Sequence, residues 1–425
     1  MKKRSLSTLF AVAVFATATA AQAAVHRVSP NESIQAAIDI AAPGDTILVE
    51  PGVYKTSVAT DSPENARFGL RISTPNLRLI GKVDRSKGDA GKVVLLPTEG
   101  QQTGVYAAPA ECTPEDQVGD EFCENNRLQG FYIRGFTVKD FEWNGIQTRF
   151  VNDFKIIRNE VGNVDLNGIY PTISANGLVQ NNVAYGTKDT AMWIAASENV
   201  RVIGNDLSKS PIGLEVNVSV DIEVMHNDIH NNTVGIALFH PNSAGNLPRE
   251  DMGNWVVRQN NVYDNNLPNP APGDSFQGAL PPGVGILLLG VYDNVVEKNT
   301  VENNDFVGIG VLGWCSATAT FPEYNCVERP PKTDPSVYNN LVSQNKLYGN
   351  GENPPGDGDG GEGPLDFLAA DLTYFSIGAP VGELFSGNNC FEKNKPKGDF
   401  TTSAYNAPPY EPFFGTDGPL PTDGC

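Results

Sequence analysis

The chain has 425 residues, of which 50 are Asp or Glu and 30 are Lys or Arg, so its formal net charge is −20. A chain this acidic lacks the basic surface that nucleic-acid binding needs, which argues against a nucleic-acid partner. Its length would normally divide into two or three domains, unless the chain is built from repeats that stack into one body.

Residues 1–23 have the features of a bacterial secretory signal peptide. A basic start, Lys2-Lys3-Arg4, precedes an apolar run, and Ala21-Gln22-Ala23 matches the small-residue cleavage pattern. We therefore expect a mature chain that begins near Ala24 and is exported to the periplasm or outside the cell. No later apolar run approaches the roughly 18 residues that a membrane-spanning helix needs.

A cap is predicted over residues 24–45. Apolar side chains recur there with the period of a helix, at Ile34, Ala37, Ile38 and Ala41. Pro43-Gly44-Asp45 ends this helix, and a strand follows from Thr46. A cap is expected because the open end of a stacked repeat exposes its apolar core and an unpaired strand edge.

Short strands then recur over residues 46–394. Each begins with a small residue and an apolar one, mostly 22 or 23 residues apart, at Gly145, Gly168, Ala191, Gly213, Gly235, Gly285 and Gly308. This period, without a leucine framework, is typical of a parallel β-helix whose coils stack at about 4.8 Å. The sequence therefore predicts an all-β fold, a single parallel β-helix with long loop insertions, followed by an irregular tail over residues 395–425.

Asparagine occupies a second repeated position. Motifs such as IIRNEV, LVQNNV and VIGNDL carry it at Asn159, Asn181, Asn205, Asn227, Asn260, Asn299 and Asn345. Asn tolerates the left-handed backbone of a tight corner, and its amide can bond to its counterparts one coil above and below. We interpret these residues as a structural ladder without a chemical role.

One outward face of the helix carries residues suited to a sugar. Side chains alternate along a strand, so the residue after each apolar position points outward. This slot holds Gln147, Tyr170, Trp193 and Glu215, and the slot two residues on holds Arg149, Asn217 and Phe239. Turns before the strands add Asp165, Lys188 and Asp189, and a loop that begins at His240 should overhang them.

This face is predicted to be exposed. Aromatic rings stack on sugar rings, while carboxylates, amides and guanidinium groups bind hydroxyls or uronate carboxylates. The alternative interpretation is that the outward aromatic residues pack beneath an inserted loop.

Two catalytic arrangements fit these residues. A uronate lyase or epimerase needs a base, such as Lys188, Arg149 or His240, and a cation such as Arg149 or Ca²⁺ at the substrate carboxylate. A hydrolase needs two carboxylates about 5–9.5 Å apart, which Glu215 and Asp189 could supply from adjacent coils. The sequence alone does not choose between them.

Six cysteines fall into three pairs in chain order: Cys112 with Cys123, Cys315 with Cys326, and Cys390 with Cys425. The export signal favours disulfides, and the long spacings without an accompanying His argue against zinc.

The segment from Asn350 to Pro364 has the composition of a flexible loop. Its Asp357, Asp359 and Glu362 could hold Ca²⁺, although the rest of an EF-hand loop is missing. A plain loop is the alternative.

The cap SIQAAIDIAAPGDTILVEPGVY and the repeats that start at NGIYPTISANGLVQNNV resemble the secreted bacterial parallel β-helix repeat proteins of the pectate-lyase-like superfamily. The resemblance extends from about residue 29 to residue 347. It implies a right-handed helix and the handling of polysaccharide, often acidic, by lyases, hydrolases or epimerases. The N-T-D, D-D and G-H-G signatures of polygalacturonase-like hydrolases and the D-P-H-D of mannuronan epimerases do not occur in the sequence.

We therefore expect an exported monomer that binds or modifies a polysaccharide through the Tyr170, Trp193 and Glu215 face. The alternative is a non-catalytic structural or interaction module of the cell envelope or surface. Fold does not by itself decide between them.

Overall fold

Strands of the chain stack into three long parallel sheets, which the chain visits in the order sheet 1, sheet 2, sheet 3 from Thr46 onward. The computed structural model describes residues 23–55, 67–98, 100–239, 252–273, 275–318, 326–331, 333–356, 363, 365–376, 386–396, 405–406 and 425. Each strand pairs in parallel with the equivalent strand of the next coil, which is the arrangement of a β-helix.

Sheet 1 consists of Val25–Val28, Thr46–Val49, Leu77–Gly81, Leu128–Arg134, Val151–Ile157, Ala175–Gln180, Glu198–Ile203, Val220–Met225, Val256–Arg258, Val295–Glu297, Leu341–Ser343 and Cys390–Glu392. Sheet 2 consists of Gly52–Lys55, Val93–Leu96, Phe136–Lys139, Glu160–Gly162, Val183–Tyr185, Asp206–Ser208, Asp228–His230, Asn261–Tyr263, Thr300–Glu302, Lys346–Tyr348 and Lys395–Pro396. Sheet 3 consists of Phe68–Ile72, Thr103–Ala107, Ile146–Arg149, Ile169–Thr172, Thr190–Ala195, Ile212–Asn217, Val234–Phe239, Val284–Leu289, Val307–Leu312, Ala370–Phe375 and Tyr405–Asn406. A small fourth sheet pairs Val337–Tyr338 with Ser386–Gly387.

Helices are few and short in the described residues. They are the α-helices Ile34–Asp39, Glu121–Asn125 and Trp314–Ala317 and the 3₁₀ helices Arg85–Gly91, Gln277–Ala279 and Asp366–Leu368. None of these helices is long and apolar enough to cross a membrane.

The predicted cap helix is confirmed, because Ile34–Asp39 begins at Ser33, whose hydroxyl accepts a hydrogen bond from the Ala36 amide at 3.2 Å. Ile34 and Ile38 are buried against the first coils, so the helix closes the apolar end of the stack.

Strand pairing extends beyond residues 46–394 at both ends. Val25–Val28 lies in the segment predicted as a cap, yet it pairs with Thr46–Val49. Tyr405–Asn406, in the segment predicted as an irregular tail, pairs with the strand Ala370–Phe375. The signal-peptide prediction concerns residues that lie, apart from Ala23, outside the described part of the chain.

The asparagine ladder is present, but one of its predicted members is wrong. The buried ladder runs through Asn182, not Asn181: the Asn159 side chain donates to Asn182 Oδ1 at 3.1 Å, and Asn182 donates to Asn205 Oδ1 at 3.0 Å. LVQNNV offers two adjacent Asn residues, and Asn181 is exposed one position earlier. Asn181 has a φ of 54°, so the left-handed residue of the corner precedes the ladder Asn.

Two further ladders were not predicted. One follows the corner between sheets 2 and 3, through Asn232, Asn265, Asn304 and Asn350. The other follows the corner between sheets 3 and 1, through Asn294, Asn340 and Asn389. Along these ladders, side-chain amides satisfy buried backbone groups of the corners.

All three predicted disulfides are present, Cys112–Cys123, Cys315–Cys326 and Cys390–Cys425. The first lies over a column of residues at the corner between sheets 3 and 1, Phe150, Ile173, Ala196 and Val218. All four have a positive φ, which is 53° at Phe150 and 47° at Ile173. A β-branched residue in this region is strained, so the surrounding contacts must hold the corner in place.

Candidate functional site

The predicted outward slot forms a continuous row on sheet 3. Gln147 pairs with Tyr170, and Trp193 pairs with Glu215. Ile169 pairs with Met192, which places Tyr170 beside Trp193 on neighbouring coils. The row therefore has the order that the repeat predicted.

The row is not an exposed face, and that part of the prediction is wrong. Trp193 is 9% exposed and Glu215 is 2% exposed, and only Tyr170 of the central residues is half-buried. Side chains one coil apart lie about 4.8 Å from one another and cover each other's flanks. The loop closed by Cys112–Cys123 covers the row further, since the Arg149 Nε donates to the Asp116 carbonyl at 2.7 Å.

Tyr170 and Trp193 form a stacked pair. Their ring centroids are 4.6 Å apart, and the ring planes are inclined by 11°. The Trp193 Nε1 donates to Asn217 Oδ1 at 3.0 Å, which fixes the indole in its plane. Each ring covers one face of the other, so the half-buried Tyr170 is the part of the pair that a ligand can reach, with the indole supporting it from behind.

Asp189 and Glu215 share one hydroxyl. The Thr190 Oγ1 lies 3.1 Å from Asp189 Oδ1 and 3.1 Å from Glu215 Oε2. These two carboxyl oxygens are therefore no more than about 6 Å apart, within the range of paired catalytic carboxyls. The Asn217 Nδ2 donates to Glu215 Oε1 at 3.2 Å, which links the acidic pair to the indole of Trp193.

Burial makes both carboxyls weaker acids. It raises the pKa of Glu215 well above 4.5, and the nearby negative charge of Asp189 raises it further. Burial also raises the pKa of Asp189, to about 6, although the hydrogen bond from Thr190 partly opposes this. Both shifts favour a pair that keeps a proton at a pH where two exposed carboxyls would be ionised. The hydroxyl of Thr190 has a single hydrogen, so it can donate to the ionised carboxyl while accepting from the protonated one.

Sequence reasoning found Asp189 and Glu215 but missed Thr190. The residue precedes the small residue Ala191 in its strand, and strict alternation with Trp193, three residues later, would direct its side chain inward. The structure instead places its hydroxyl beside Glu215 on the outer side of the sheet. The hydroxyl lies between the two carboxyls because of the register between neighbouring coils. That register can be read from the sequence only after the neighbouring strands have been aligned.

Lys188 and Asp165 lie outside this network. They form an ion pair with each other, Nζ to Oδ1, at 2.7 Å, and both are exposed. Arg149 is buried, and its guanidinium is bound to the Asp116 carbonyl. These contacts engage Lys188 and Arg149, two of the three bases that the sequence offered, and the third, His240, lies outside the described residues.

Two predicted binding residues have packing roles instead. Phe239 is fully buried and meets Phe276 edge-on, with centroids 5.1 Å apart, so it does not present a surface to a ligand. Gln147 is buried and accepts from the Asn144 side chain at 3.1 Å. Phe239 thus follows the alternative interpretation, in which an outward aromatic residue packs beneath a loop.

The proposed Ca²⁺ ligands Asp357, Asp359 and Glu362 lie outside the described residues. Among the residues that are described, Cys112, Asp116 and Cys123 come close enough together to suggest a metal site. The two cysteines form a disulfide, so their sulfurs are not available as thiolate ligands.

Part of the chain matches a known protein family. Residues 144–324 match the family described as "Right handed beta helix region". No curated protein sequence matches the chain. Among solved structures, the chain is similar to the A-module of a mannuronan C-5 epimerase from Azotobacter vinelandii, with 15% identity, a TM-score of 0.48, and coverage of 86% of this chain and 90% of that one.

Two other similar structures differ from the epimerase in kind. The Dettilon tailspike protein has 13% identity and a TM-score of 0.49, with coverage of 87% of this chain and 62% of the tailspike. A DFA-IIIase from Arthrobacter chlorophenolicus A6 has 13% identity and a TM-score of 0.43, with coverage of 89% and 100%. The chain folds as a right-handed parallel β-helix, the architecture that its sequence predicted.

Proposed function

We propose that the chain binds a polysaccharide along the outward side of sheet 3 and hydrolyses its glycosidic bonds. The observation that carries the proposal is the pair of carboxyls, the half-buried Asp189 and the buried Glu215, bridged by the Thr190 hydroxyl. A glycosidase needs one carboxyl that is protonated and one that is ionised at the same pH, and this pair supplies both.

The roles follow from the two environments. Glu215, more deeply buried and with its pKa raised further by the charge of Asp189, is the acid that protonates the leaving oxygen. Asp189 is the ionised partner and forms the bond to the anomeric carbon as the bond to the leaving sugar breaks. Water then attacks that carbon, gives its proton to Glu215 and releases Asp189, so atoms and charge balance. The short separation of the pair suits this two-step route better than the direct attack of water.

Hydrolysis is favoured over uronate lyase or epimerase chemistry because of the surrounding charges. Those reactions require a cation at the substrate carboxylate and a base at the neighbouring carbon. In the described part of the site, Lys188 is paired with Asp165 and Arg149 with a backbone carbonyl. A uronate placed beside the acidic pair would add a further negative charge, so we expect a neutral sugar at this position.

Export is part of the proposal. The three disulfides are suited to an oxidising compartment, in agreement with the signal peptide predicted from residues 1–23. The protein would act on its polysaccharide in the periplasm or outside the cell.

The function can be tested with a panel of neutral and uronate-containing polysaccharides. We expect new reducing ends from a neutral polymer, without the ultraviolet absorbance of an unsaturated sugar. A lyase product would contradict the hydrolase, and binding without any product would indicate the non-catalytic module instead. Failure to bind any glycan would overturn the whole proposal.

The Trp193→Ala variant tests the binding surface separately. It removes the ring that stacks on Tyr170 and the donor to Asn217. Loss of the indole that supports Tyr170 should weaken binding by about 0.5–1.5 kcal/mol, a rise in Kd of up to roughly tenfold. Tyr263→Ala is the matched control, since Tyr263 stacks on His230 on sheet 2, away from the row. Unchanged binding by a folded Trp193→Ala protein would show that the sugar lies elsewhere.

A further inference from the structure

The outward side of sheet 3 changes character along the helix. The slot that holds Thr190 continues through Ile212, Val234, Val284 and Val307. The slot that holds Glu215 continues through Ala237, Leu287 and Gly310. The rows that carry Thr190 and Glu215 are therefore apolar from the next coil as far as Val307 and Gly310.

An apolar cavity of about 80 Å³ lies over this second half. Its floor includes Val234, Leu287 and Gly310, and its walls come from loops that carry side chains such as Leu280, Phe306 and Leu368. Among the described residues that line the cavity, only Thr318 has a side-chain hydroxyl. Apolar cavities of this kind exclude water and accept small apolar molecules.

The backbone at Gly310 would allow a larger side chain, which could fill part of the cavity. A Cβ at Gly310 would lie 3.4 Å from Val307 and 3.5 Å from Leu287, which are ordinary contact distances. Gly310 is also not among the glycines with a positive φ, so a larger residue could adopt its conformation. Protein interiors are normally packed to high density because an unfilled void sacrifices contacts on its lining. A glycine that leaves such a void therefore suggests that another molecule fills it.

We infer that this cavity binds a short acyl or alkyl group of a few carbons, carried by the carbohydrate that lies on the same face. This inference rests on the proposed function. Val234 occupies the same slot as Thr190, two coils further on, so the cavity begins about 10 Å from the acidic pair. The apolar lining selects an alkyl chain over a sugar ring, whose hydroxyls would find almost no partners there. The substrate class is thus a neutral polysaccharide with apolar substituents.

Calorimetric titration with 1-butanol and 1-hexanol tests the cavity without any sugar. The wild-type protein should bind 1-butanol, and Gly310→Val should weaken that binding at least tenfold by filling the floor. Leu287→Ala, which enlarges the cavity, should bind 1-hexanol more tightly than the wild type does. Gly273→Ala is the matched control, because a Cβ there meets nothing within 4 Å.

Each outcome has a distinct meaning. No alcohol binding by the wild type, or equal binding by a folded Gly310→Val protein, would overturn the cavity as an alkyl site. The link to the substrate is tested with an esterified polysaccharide before and after saponification. Wild type should prefer the esterified form at least tenfold in kcat/KM, and Gly310→Val should lose the preference. Alcohol binding with no such preference would overturn the substituent role, whereas no turnover of either polymer would overturn the hydrolase and leave the alcohol result intact.

Discussion

Replacing Glu215 with glutamine should abolish turnover and, at pH 8, make the protein more stable. Turnover should fall at least a hundredfold, because the amide cannot donate a proton to the leaving oxygen. The amide can keep both hydrogen bonds, accepting from Asn217 and donating to Thr190, which then donates to Asp189. The packing of the site should therefore survive the change.

The stability effect follows from the direction of the pKa shifts. The folded-state pKa values of Glu215 and Asp189 lie above their unfolded values. At a pH between the unfolded and the folded pKa, the folded protein therefore binds more protons than the unfolded chain. The contribution of the pair to stability is thus fully present below about pH 4 and is lost as the pH rises through the folded pKa values. Glutamine removes the buried charge that accounts for this loss.

Thermal melting of the wild type and Glu215→Gln at pH 4 and pH 8 measures the effect. The two proteins should melt at similar temperatures at pH 4, and the variant should melt higher by several degrees at pH 8. Glu223→Gln is the control, because Glu223 is a partly exposed partner of Arg201 and should not show this gain. A variant that is less stable than the wild type at pH 8 would mean that Glu215 is ionised and well compensated.

The wild-type pH profile gives a related check. The singly protonated pair should form as the pH rises through about 6, the pKa of Asp189, so activity should decline below that value.

Replacing Asn260 with alanine should destabilise the fold by about 3 kcal/mol or more. Its side-chain oxygen accepts from the Asn227 amide at 3.0 Å, and its Nδ2 donates to the Val224 carbonyl at 3.0 Å and to Asn299 Oδ1 at 3.0 Å. All these groups are buried, and each one left without a partner costs roughly 1–3 kcal/mol. Because Asn260 bonds to Asn227 in one neighbouring coil and to Asn299 in the other, the substitution should destabilise the coils on both sides.

The adjacent residue provides a matched control. Asn261 is exposed, and its Nδ2 donates to Asp228 Oδ1 at 2.7 Å on the surface of sheet 2. Asn261→Ala should change the free energy of unfolding by no more than about 0.5 kcal/mol, as is usual for surface positions. Equal losses for the two variants in urea denaturation would mean that burial of the ladder does not determine its contribution.

The repeat made the fold predictable and the site only partly so. Small residues followed by apolar ones recur because every coil has the same kind of interior to pack. This periodicity predicted that Tyr170, Trp193 and Glu215 lie in one row. The burial of the row depends on loops whose course no repeat specifies. The identity of one ladder residue was missed for a local reason, since Asn181 and Asn182 are neighbours and only the corner geometry distinguishes them.

The candidate site depends on the redox state of its surroundings, because the Cys112–Cys123 disulfide lies over the column of left-handed corner residues. Ile173 and Val218 hold unfavourable backbone torsions under that disulfide, and the loop it closes supplies the carbonyl that anchors Arg149. Reduction of this disulfide would release the loop. The Arg149 guanidinium would then lose its hydrogen-bond acceptor, and the corner residues would lose part of the loop that covers them. The cover of the row thus depends on a covalent bond that thiols can open, and a reducing environment would expose the row from the Arg149 end.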